Sequence, residues 1–172
     1  MRLLFEMDKK DYEHCAFTII RDSARSIIIK ENKLAMIHSL KYDFYKFPGG
    51  GIENEEDTIT AMIRETREEA GLIVKMDTVK EYGYVHRIQK SSYDPTVCFI
   101  QDNYYYLCDV EEEQVSQKLD NYEQEEDFVL EFVDYELVIK KNRNVKNCPE
   151  DTLMFEREVR VIERLLEEGL LK

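Results

Sequence analysis

Short apolar runs separated by polar turns dominate the hydrophobic pattern and are typical of β-strands. Ser26 to Lys30 and Leu34 to His38 flank the polar pair Glu31-Asn32, which predicts a β-hairpin. Aromatic and β-branched residues favour strands in the remaining apolar segments. These strands are predicted over Met1 to Glu6, Ala16 to Arg21, Val79 to Ile88, Tyr104 to Val110 and Phe128 to Val133.

Helical spacing follows a glycine-rich segment in the middle of the chain. Apolar positions from Ile59 to Ala70 recur every three or four residues and predict a helix with one buried face. Asp57 and Thr58 are suited to cap its start, and Gly71 its end. The preceding Pro48-Gly49-Gly50-Gly51 predicts a loop that exposes backbone groups to an anion or a metal.

The last third of the chain contains an acidic stretch and two further predicted helices. Residues 111–127 predict a loop or short helix, and the helices are expected over 134–141 and 149–168, the second begun by Pro149 and ended by Gly169. Strands and helices mixed in this order predict an α/β/α sandwich with a mixed β-sheet. A length of 172 residues predicts a single domain over 1–172.

Charge and composition exclude some classes of binding partner for this protein. The chain has 37 acidic and 24 basic residues, a formal net charge of −13, so its surface field should repel nucleic-acid polymers and anionic membranes. The apolar start is too short for a signal sequence, and the four cysteines are widely spaced, which favours reduced thiols and a cytoplasmic location. A homodimer stays open.

Candidate chemistry is concentrated on the central predicted helix. Glu65, Glu68 and Glu69 are spaced i, i+3 and i+4, so they share one stripe of the helix. Their like charges repel at this spacing, and a hard divalent cation would offset that cost. The three carboxylates predict a Mg²⁺ or Mn²⁺ site.

The segment from Gly50 to Leu72 resembles the Nudix box, G-x5-E-x7-R-E-U-x-E-E-x-G-U, where U is a bulky aliphatic residue. Thr66 departs from the pattern, because it stands at a U position. The residues that match the fixed positions are Gly50, Glu56, Arg64, Glu65, Glu68, Glu69, Gly71 and Leu72. The resemblance implies the Nudix-type α/β/α sandwich.

The resemblance also implies residue roles. Glu65, Glu68 and Glu69 would be metal ligands, Gly50 would offer its carbonyl to the metal, and Arg64 would orient Glu68 or a neighbouring carboxylate. Family members often recruit the general base from a later loop. Glu126 is the first choice here, followed by Glu123 and Glu125; the alternative is a solvated acidic loop, with Glu69 or Glu65 as the base.

The expected activity is Mg²⁺-dependent hydrolysis of a diphosphate bond in a small phosphorylated substrate. This substrate would be a nucleoside diphosphate linked to another moiety, or a nucleoside triphosphate. Two alternatives stay open: a non-catalytic nucleotide-sensing module and a prenyl diphosphate isomerase. The sequence does not identify the leaving group, although Tyr42, Phe44 and Tyr45 could stack on a base or belong to the core.

Overall fold

The computed structural model describes residues 1–53, 55–148 and 152–172, with only the backbone of Thr152. Twelve strands lie within these residues: β1 Leu3–Asp8, β2 Phe17–Ile20, β3 Ser23–Ile27, β4 Ile29–Lys30, β5 Lys33–Ser39, β6 Phe44–Lys46, β7 Gly49–Gly51, β8 Leu72–Val74, β9 Lys80–Lys90, β10 Val97–Leu107, β11 Val110–Gln114 and β12 Phe128–Val133. The helices in the same residues are α1 Thr58–Ala70, α2 Asn121–Glu125, α3 Tyr135–Asn142 and α4 Thr152–Glu167, with a 3₁₀ turn at Met76–Thr78.

The largest sheet is mixed and has the order β1-β9-β10-β3-β7, with β2 also paired to β10. β10 runs parallel to β2 and β3 and antiparallel to β9. A second sheet is built around β5, which pairs antiparallel with β4, β6 and β12. β8 and β11 form a small antiparallel pair. The predicted mixed sheet is confirmed.

Alternate residues of β5 point to two different apolar clusters, because side chains along a strand alternate between its faces. Leu34 and Met36 pack in a cluster with Val161 and Ile162 of α4. Ala35 and Ile37 pack in the other cluster, which contains Ala61 and Met62 of α1 among its other members. Helices therefore cover both faces of the strands, and the predicted α/β/α sandwich is confirmed.

The hairpin at Glu31-Asn32 joins β4 to β5, as the sequence predicts. Both turn residues have positive φ, 51° and 61°, which matches the twist that a two-residue hairpin turn requires. The single strand predicted over Ser26 to Lys30 is wrong, however. β3 ends at Ile27 and β4 begins at Ile29, so the chain passes from one sheet to the other within the apolar run.

Two other predictions change in the second half of the chain. The strand predicted over Tyr104 to Val110 is interrupted at Cys108-Asp109, where β10 ends and β11 begins. The acidic stretch 111–127 contains most of β11 as well as the helix α2. The prediction of a loop or short helix for this stretch is therefore only partly right. β11 carries exposed glutamates because it is paired on one side, to β8, and a strand at a sheet edge tolerates charge.

The ends of α1 confirm the predicted caps. The carboxylate of Asp57 accepts hydrogen bonds from the backbone N–H groups of Ile59 and Thr60, both at 3.0 Å. Gly71 ends the helix in the left-handed conformation, with φ 66°. The proposed start of the last helix at Pro149 lies outside the described residues. Within the described residues, none of the helices has the length and apolar character needed to cross a membrane.

Thr66, the residue that departs from the Nudix pattern, is fully buried in the contact between α1 and β3. Its hydroxyl donates to the carbonyl of Met62 at 2.7 Å, one turn earlier in α1. The same hydroxyl lies 2.9 Å from the hydroxyl of Ser26 on β3. The polar atom of Thr66 is thus satisfied, and the substitution at this position does not disturb the packing of α1.

A buried ion pair on α4 lies under the sheet. Arg157 and Glu158 have side chains that are 1% and 0% exposed, and the guanidinium donates to Glu158 through Nε at 3.1 Å and through Nη2. Arg157 also donates to Asn103, which accepts a second hydrogen bond from Ser23 at 2.8 Å. The pair therefore joins α4 to β10 and β3.

Replacing Arg157 by methionine should destabilise the protein strongly. The variant leaves Glu158 buried without its cation, which costs about 3–5 kcal/mol of unfolding free energy. Arg143→Met is the matched control, because Arg143 pairs with Glu163 at the surface, and such a pair contributes less than about 1 kcal/mol. Urea denaturation of both variants measures their free energies of unfolding. Equal losses of unfolding free energy would show that the buried pair stabilises the protein no more than the surface pair does.

Candidate active site

The glycine-rich segment before α1 forms the short strand β7 instead of the predicted loop, and it pairs with β3. Gly49 has φ 147°, and a Cβ there would lie 2.6 Å from the Cα of Arg25, so the two backbones approach as only glycine permits. The guanidinium of Arg25 donates to the carbonyls of Phe47 and Gly49, each at 3.1 Å. β3 therefore holds the glycine segment in place from one side.

Glu69 holds the same segment from the side of α1. Its side chain is 1% exposed, and one carboxylate oxygen accepts a hydrogen bond from the Gly49 N–H at 2.9 Å. The other oxygen is ion-paired with the ammonium of Lys46, the last residue of β6. Glu69 is therefore a buried and fully engaged carboxylate.

Glu65 lies against Gly50, one turn before Glu69. A Cβ at Gly50 would lie 2.5–2.6 Å from the atoms of the Glu65 carboxylate, so a larger residue would displace that carboxylate. Burial raises the pKa of Glu65, and the hydrogen bond from Arg64 at 2.8 Å opposes this effect. The structure thus places two of the predicted metal-site residues, Gly50 and Glu65, in direct contact.

Arg64 connects the beginning and the middle of the motif. It donates two hydrogen bonds to Glu56, at 2.9 and 2.8 Å, in the bidentate geometry of a strong ion pair. Further donations reach Glu65, the Glu68 carboxylate at 3.3 Å and the carbonyl of Gly51 at 3.1 Å. These contacts place Arg64 where it can orient the carboxylates around it.

Glu68 is the most accessible of the three motif glutamates. Its side chain is 33% exposed, and Lys118 lies 3.8 Å away at the surface. The carboxylates of Glu65, Glu68 and Glu69 thus have three different environments, although the sequence places them on one stripe of α1.

The three carboxylates predicted as metal ligands are engaged by basic side chains. Within residues 1–53, 55–148 and 152–172, no group of three or more histidine, cysteine, aspartate or glutamate side chains is arranged to hold a metal ion. The carboxylates contact the basic side chains of Lys46 and Arg64 instead. Their chemistry still fits a hard divalent cation, because carboxylate and carbonyl oxygens are the ligands that Mg²⁺ prefers.

The acidic segment before β12 brings two of its three candidate bases to the site. Glu126 is 7% exposed, and the Ser39 hydroxyl donates to its carboxylate at 3.3 Å. Glu123 is 5% exposed; burial, followed by the hydrogen bond with Glu69 and its negative charge, raises the pKa of Glu123. Glu125 is exposed to solvent. The segment is therefore more than a solvated loop.

A cavity of about 510 Å³ opens beside the glycine segment. Arg21, Ser23 and Arg25 line it at alternate positions from the end of β2 through β3. On the adjacent strands the cross-strand neighbours Arg87 with Gln101 and Gln89 with Phe99 also line it. The other lining residues are Phe44, Lys46, Gly49, Gly50, Gly51, Ser91, Ser92, Tyr93, Tyr122, Glu126, Phe128, Met154 and Arg157.

Most of this lining was missed from the sequence. The sequence offers Phe44 as an aromatic candidate, and Phe44 does line the cavity. Lys46 was missed, although it lies on the same face of β6. Tyr45 points the other way and stacks on His38, with ring centroids 4.2 Å apart. The alternate polar residues Arg21, Ser23 and Arg25 could have indicated that one face of a strand lines a polar cavity. Using this signal requires the strand boundaries, which the sequence does not define here.

Comparisons with known proteins agree with the motif and the fold. The family model described as the NUDIX domain matches residues 19–150. The chain belongs to the NUDIX domain family. This family hydrolyses diphosphate bonds in small phosphorylated compounds, so the predicted enzyme class, a pyrophosphohydrolase, is confirmed.

Solved structures of low sequence identity share the NUDIX fold of this chain. A NUDIX hydrolase from Nitrosomonas europaea has a TM-score of 0.61 at 15% identity, covering 85% of this chain and 90% of its own. The solution structure of the E. coli ORF135 protein has a TM-score of 0.53 at 17% identity, covering 87% of this chain and 92% of its own. Comparison with curated proteins finds no match.

Replacing Gly50 by alanine should damage the site without unfolding the protein. The new Cβ would push the Glu65 carboxylate away from the glycine segment, and a displacement of about 1 Å can lower turnover on the order of a hundredfold. Gly51→Ala is the comparison variant, because the nearest atoms to a Cβ there belong to the side chain of Arg21, at 3.3 Å or more, and not to a carboxylate of the motif. Steady-state turnover and thermal unfolding of both variants test this. Equal turnover in the two would contradict a tight Gly50–Glu65 contact.

Proposed function

We propose that this NUDIX enzyme uses Mg²⁺ or Mn²⁺ to hydrolyse the diphosphate bond of a nucleotide derivative. The substrate is a nucleoside diphosphate linked to another moiety, or a nucleoside triphosphate, and it binds in the cavity beside the glycine segment. The whole chain acts as one domain. The observation that carries the proposal is that the cavity reaches the motif: Gly50 lines the cavity, and so does Lys46, whose ammonium pairs with Glu69.

The charge of the cavity supports a phosphorylated substrate. Three arginines, Arg21, Arg25 and Arg87, line it, although acidic residues outnumber basic ones in the whole chain, 37 to 24. Lys46 and Arg157 also line it, with their charges paired to Glu69 and Glu158. A concave basic surface on an acidic protein concentrates small anions while the outer field repels polyanionic polymers. Diphosphate oxygens are therefore the groups that this lining fits.

Aromatic side chains support a nucleoside on the same substrate. Phe99 lies on the cavity wall with the Arg87 guanidinium 5.8 Å from its ring centre, and Phe44 and Tyr93 also line the space. Flat apolar and cationic groups of this kind stack on nucleobases. A volume of about 510 Å³ is in the usual range for a small-molecule site.

Glu65, Glu68 and Glu69, together with the Gly50 carbonyl, are the groups proposed to hold the metal. A bound divalent cation there would neutralise phosphate charge and acidify a water molecule. Arg64 keeps Glu65 and Glu68 in position through its hydrogen bonds, and Glu56 fixes Arg64 in turn. The protein thus supplies orientation for a water attack on phosphorus.

Glu126 is the proposed general base, since it lines the cavity and its carboxylate is fixed by Ser39. Glu123 is the alternative, because it is buried, and burial, followed by the influence of Glu69, raises its pKa. The free thiols of Cys15, Cys98 and Cys108 fit the reducing conditions of the cytoplasm, which is the proposed location. The enzyme would work there as a monomer or a homodimer.

Phosphate release from a panel of nucleotide derivatives tests the proposed reaction. Hydrolysis should stop in excess EDTA and return with Mg²⁺ or Mn²⁺, because the phosphate charge is then neutralised again. Undiminished hydrolysis in EDTA would contradict the metal requirement. Nucleotide binding without hydrolysis would indicate a sensor, and conversion of a prenyl diphosphate would indicate an isomerase.

Amide substitutions separate the candidate bases. Glu126→Gln should lower turnover at neutral pH on the order of a hundredfold and leave metal affinity nearly unchanged, since a base takes a proton without ligating the ion. Glu125→Gln is the control, because Glu125 is exposed, and it should keep wild-type turnover. Loss of turnover only in Glu123→Gln would move the role to Glu123. Wild-type rates in all three would place the base within the motif.

A further inference from the structure

Lys46 contacts Glu69, one of the proposed metal ligands. It is the last residue of β6, directly before Phe47 and the glycine segment, and its side chain is 7% exposed. Its ammonium pairs with the Glu69 carboxylate and lies 4.7 Å from the centre of the Phe128 ring. A lysine this deeply buried is unusual unless its charge is needed where it lies.

The positive charge of Lys46 acts on more than one carboxyl group. Burial raises the pKa of Glu65 and the pKa of Glu123, and in both cases the positive charge of Lys46 opposes the increase. Glu69, the direct partner, also contributes to the raised pKa of Glu123, after burial. Lys46 therefore lies among three carboxyl groups: two belong to the motif on α1, and one comes from α2.

Arg64 does not have the same position. Its guanidinium is committed to Glu56 by two hydrogen bonds and to the Gly51 carbonyl by another, so it remains anchored whichever way Glu65 and Glu68 point. Among the residues that the structure describes, the ammonium of Lys46 is hydrogen-bonded and ion-paired to Glu69 alone. A long flexible side chain with one charged partner can move when that partner is taken by another cation.

We propose that Lys46 is a tethered cation that holds Glu69 in the metal-free enzyme and is displaced when a divalent metal binds. The inference rests on the proposed metal site. A buried carboxylate needs a positive partner, and one oxygen of Glu69 is already taken by the Gly49 N–H. Ammonium and metal therefore compete for the other oxygen. Lys46 is a positioning residue: it keeps the metal-free site folded and weakens metal binding.

Mn²⁺ binding to the metal-depleted protein tests the competition directly. Lys46→Met should bind Mn²⁺ about tenfold or more tightly than wild type, because wild type must first break a buried ion pair. Lys46→Arg keeps the charge and should bind no more tightly than wild type. Lys75→Met removes one positive charge from a surface pair with Glu111 and should change the affinity by less than about twofold. The free-ion EPR signal of Mn²⁺ measures each affinity without reference to activity.

Thermal unfolding gives a second readout of the same proposal. Without metal, Lys46→Met should melt below wild type, since Glu69 is left buried and unpaired, and saturating Mn²⁺ should raise its melting temperature more than that of wild type. If Lys46→Met does not fold without metal, Lys46→Gln, which keeps a hydrogen-bond donor without the charge, replaces it in both measurements.

The outcomes separate this proposal from the one on which it rests. If neither wild type nor the Lys46 variants bind Mn²⁺, the proposed metal site itself is wrong. If wild type binds Mn²⁺ and the uncharged variants bind it equally or less tightly, the metal site stands and the competition by Lys46 is wrong. Tighter binding in the uncharged variants but not in Lys46→Arg is the result expected from the proposal.

Discussion

The burial of the Glu69 carboxylate is the constraint on which the site depends. Glu69 joins the last turn of α1 to the glycine segment through the Gly49 N–H, and to β6 through Lys46. From the opposite side, Arg25 fixes the carbonyls of Phe47 and Gly49. The glycine segment is thus held between a strand and a helix. This is why Gly50 can lie against Glu65 and why the cavity has a defined edge there.

Charge is distributed unevenly between the surface and the interior of the site. The whole chain has a formal net charge of −13, yet arginines of β3, β9 and the helix α4 line the cavity. Arg157 is both a lining residue and the centre of the buried network with Glu158 and Asn103. The same side chain therefore joins α4 to the sheet and forms part of the cavity wall. Loss of this residue would affect both properties.

The sequence correctly predicted the elements that are determined by residues close together in the chain. The caps of α1 at Asp57 and Gly71 and the positive-φ turn at Glu31-Asn32 depend on neighbouring residues, so the sequence was sufficient for them. The short strands β6, β7 and β8 were missed because three residues are too few to establish a period. The change of sheet at Ile28 was missed because all three isoleucines of that run are apolar, while the switch depends on which cluster each one joins.

Long-range contacts explain what the sequence could not predict about the site. Spacing alone made Glu65, Glu68 and Glu69 equivalent and mutually repulsive, which predicts that neutralising Glu68 or Glu69 relieves repulsion. In the fold they differ: Glu69 is paired with a lysine 23 residues away, Glu65 lies against Gly50, and Glu68 is partly in solvent. Relief of repulsion remains the expectation for Glu68, whereas removing the charge of Glu69 would leave Lys46 buried without a partner. The positive partner of Glu69 is thus Lys46 on β6, so a metal ion proposed to bind Glu69 would replace one cation by another.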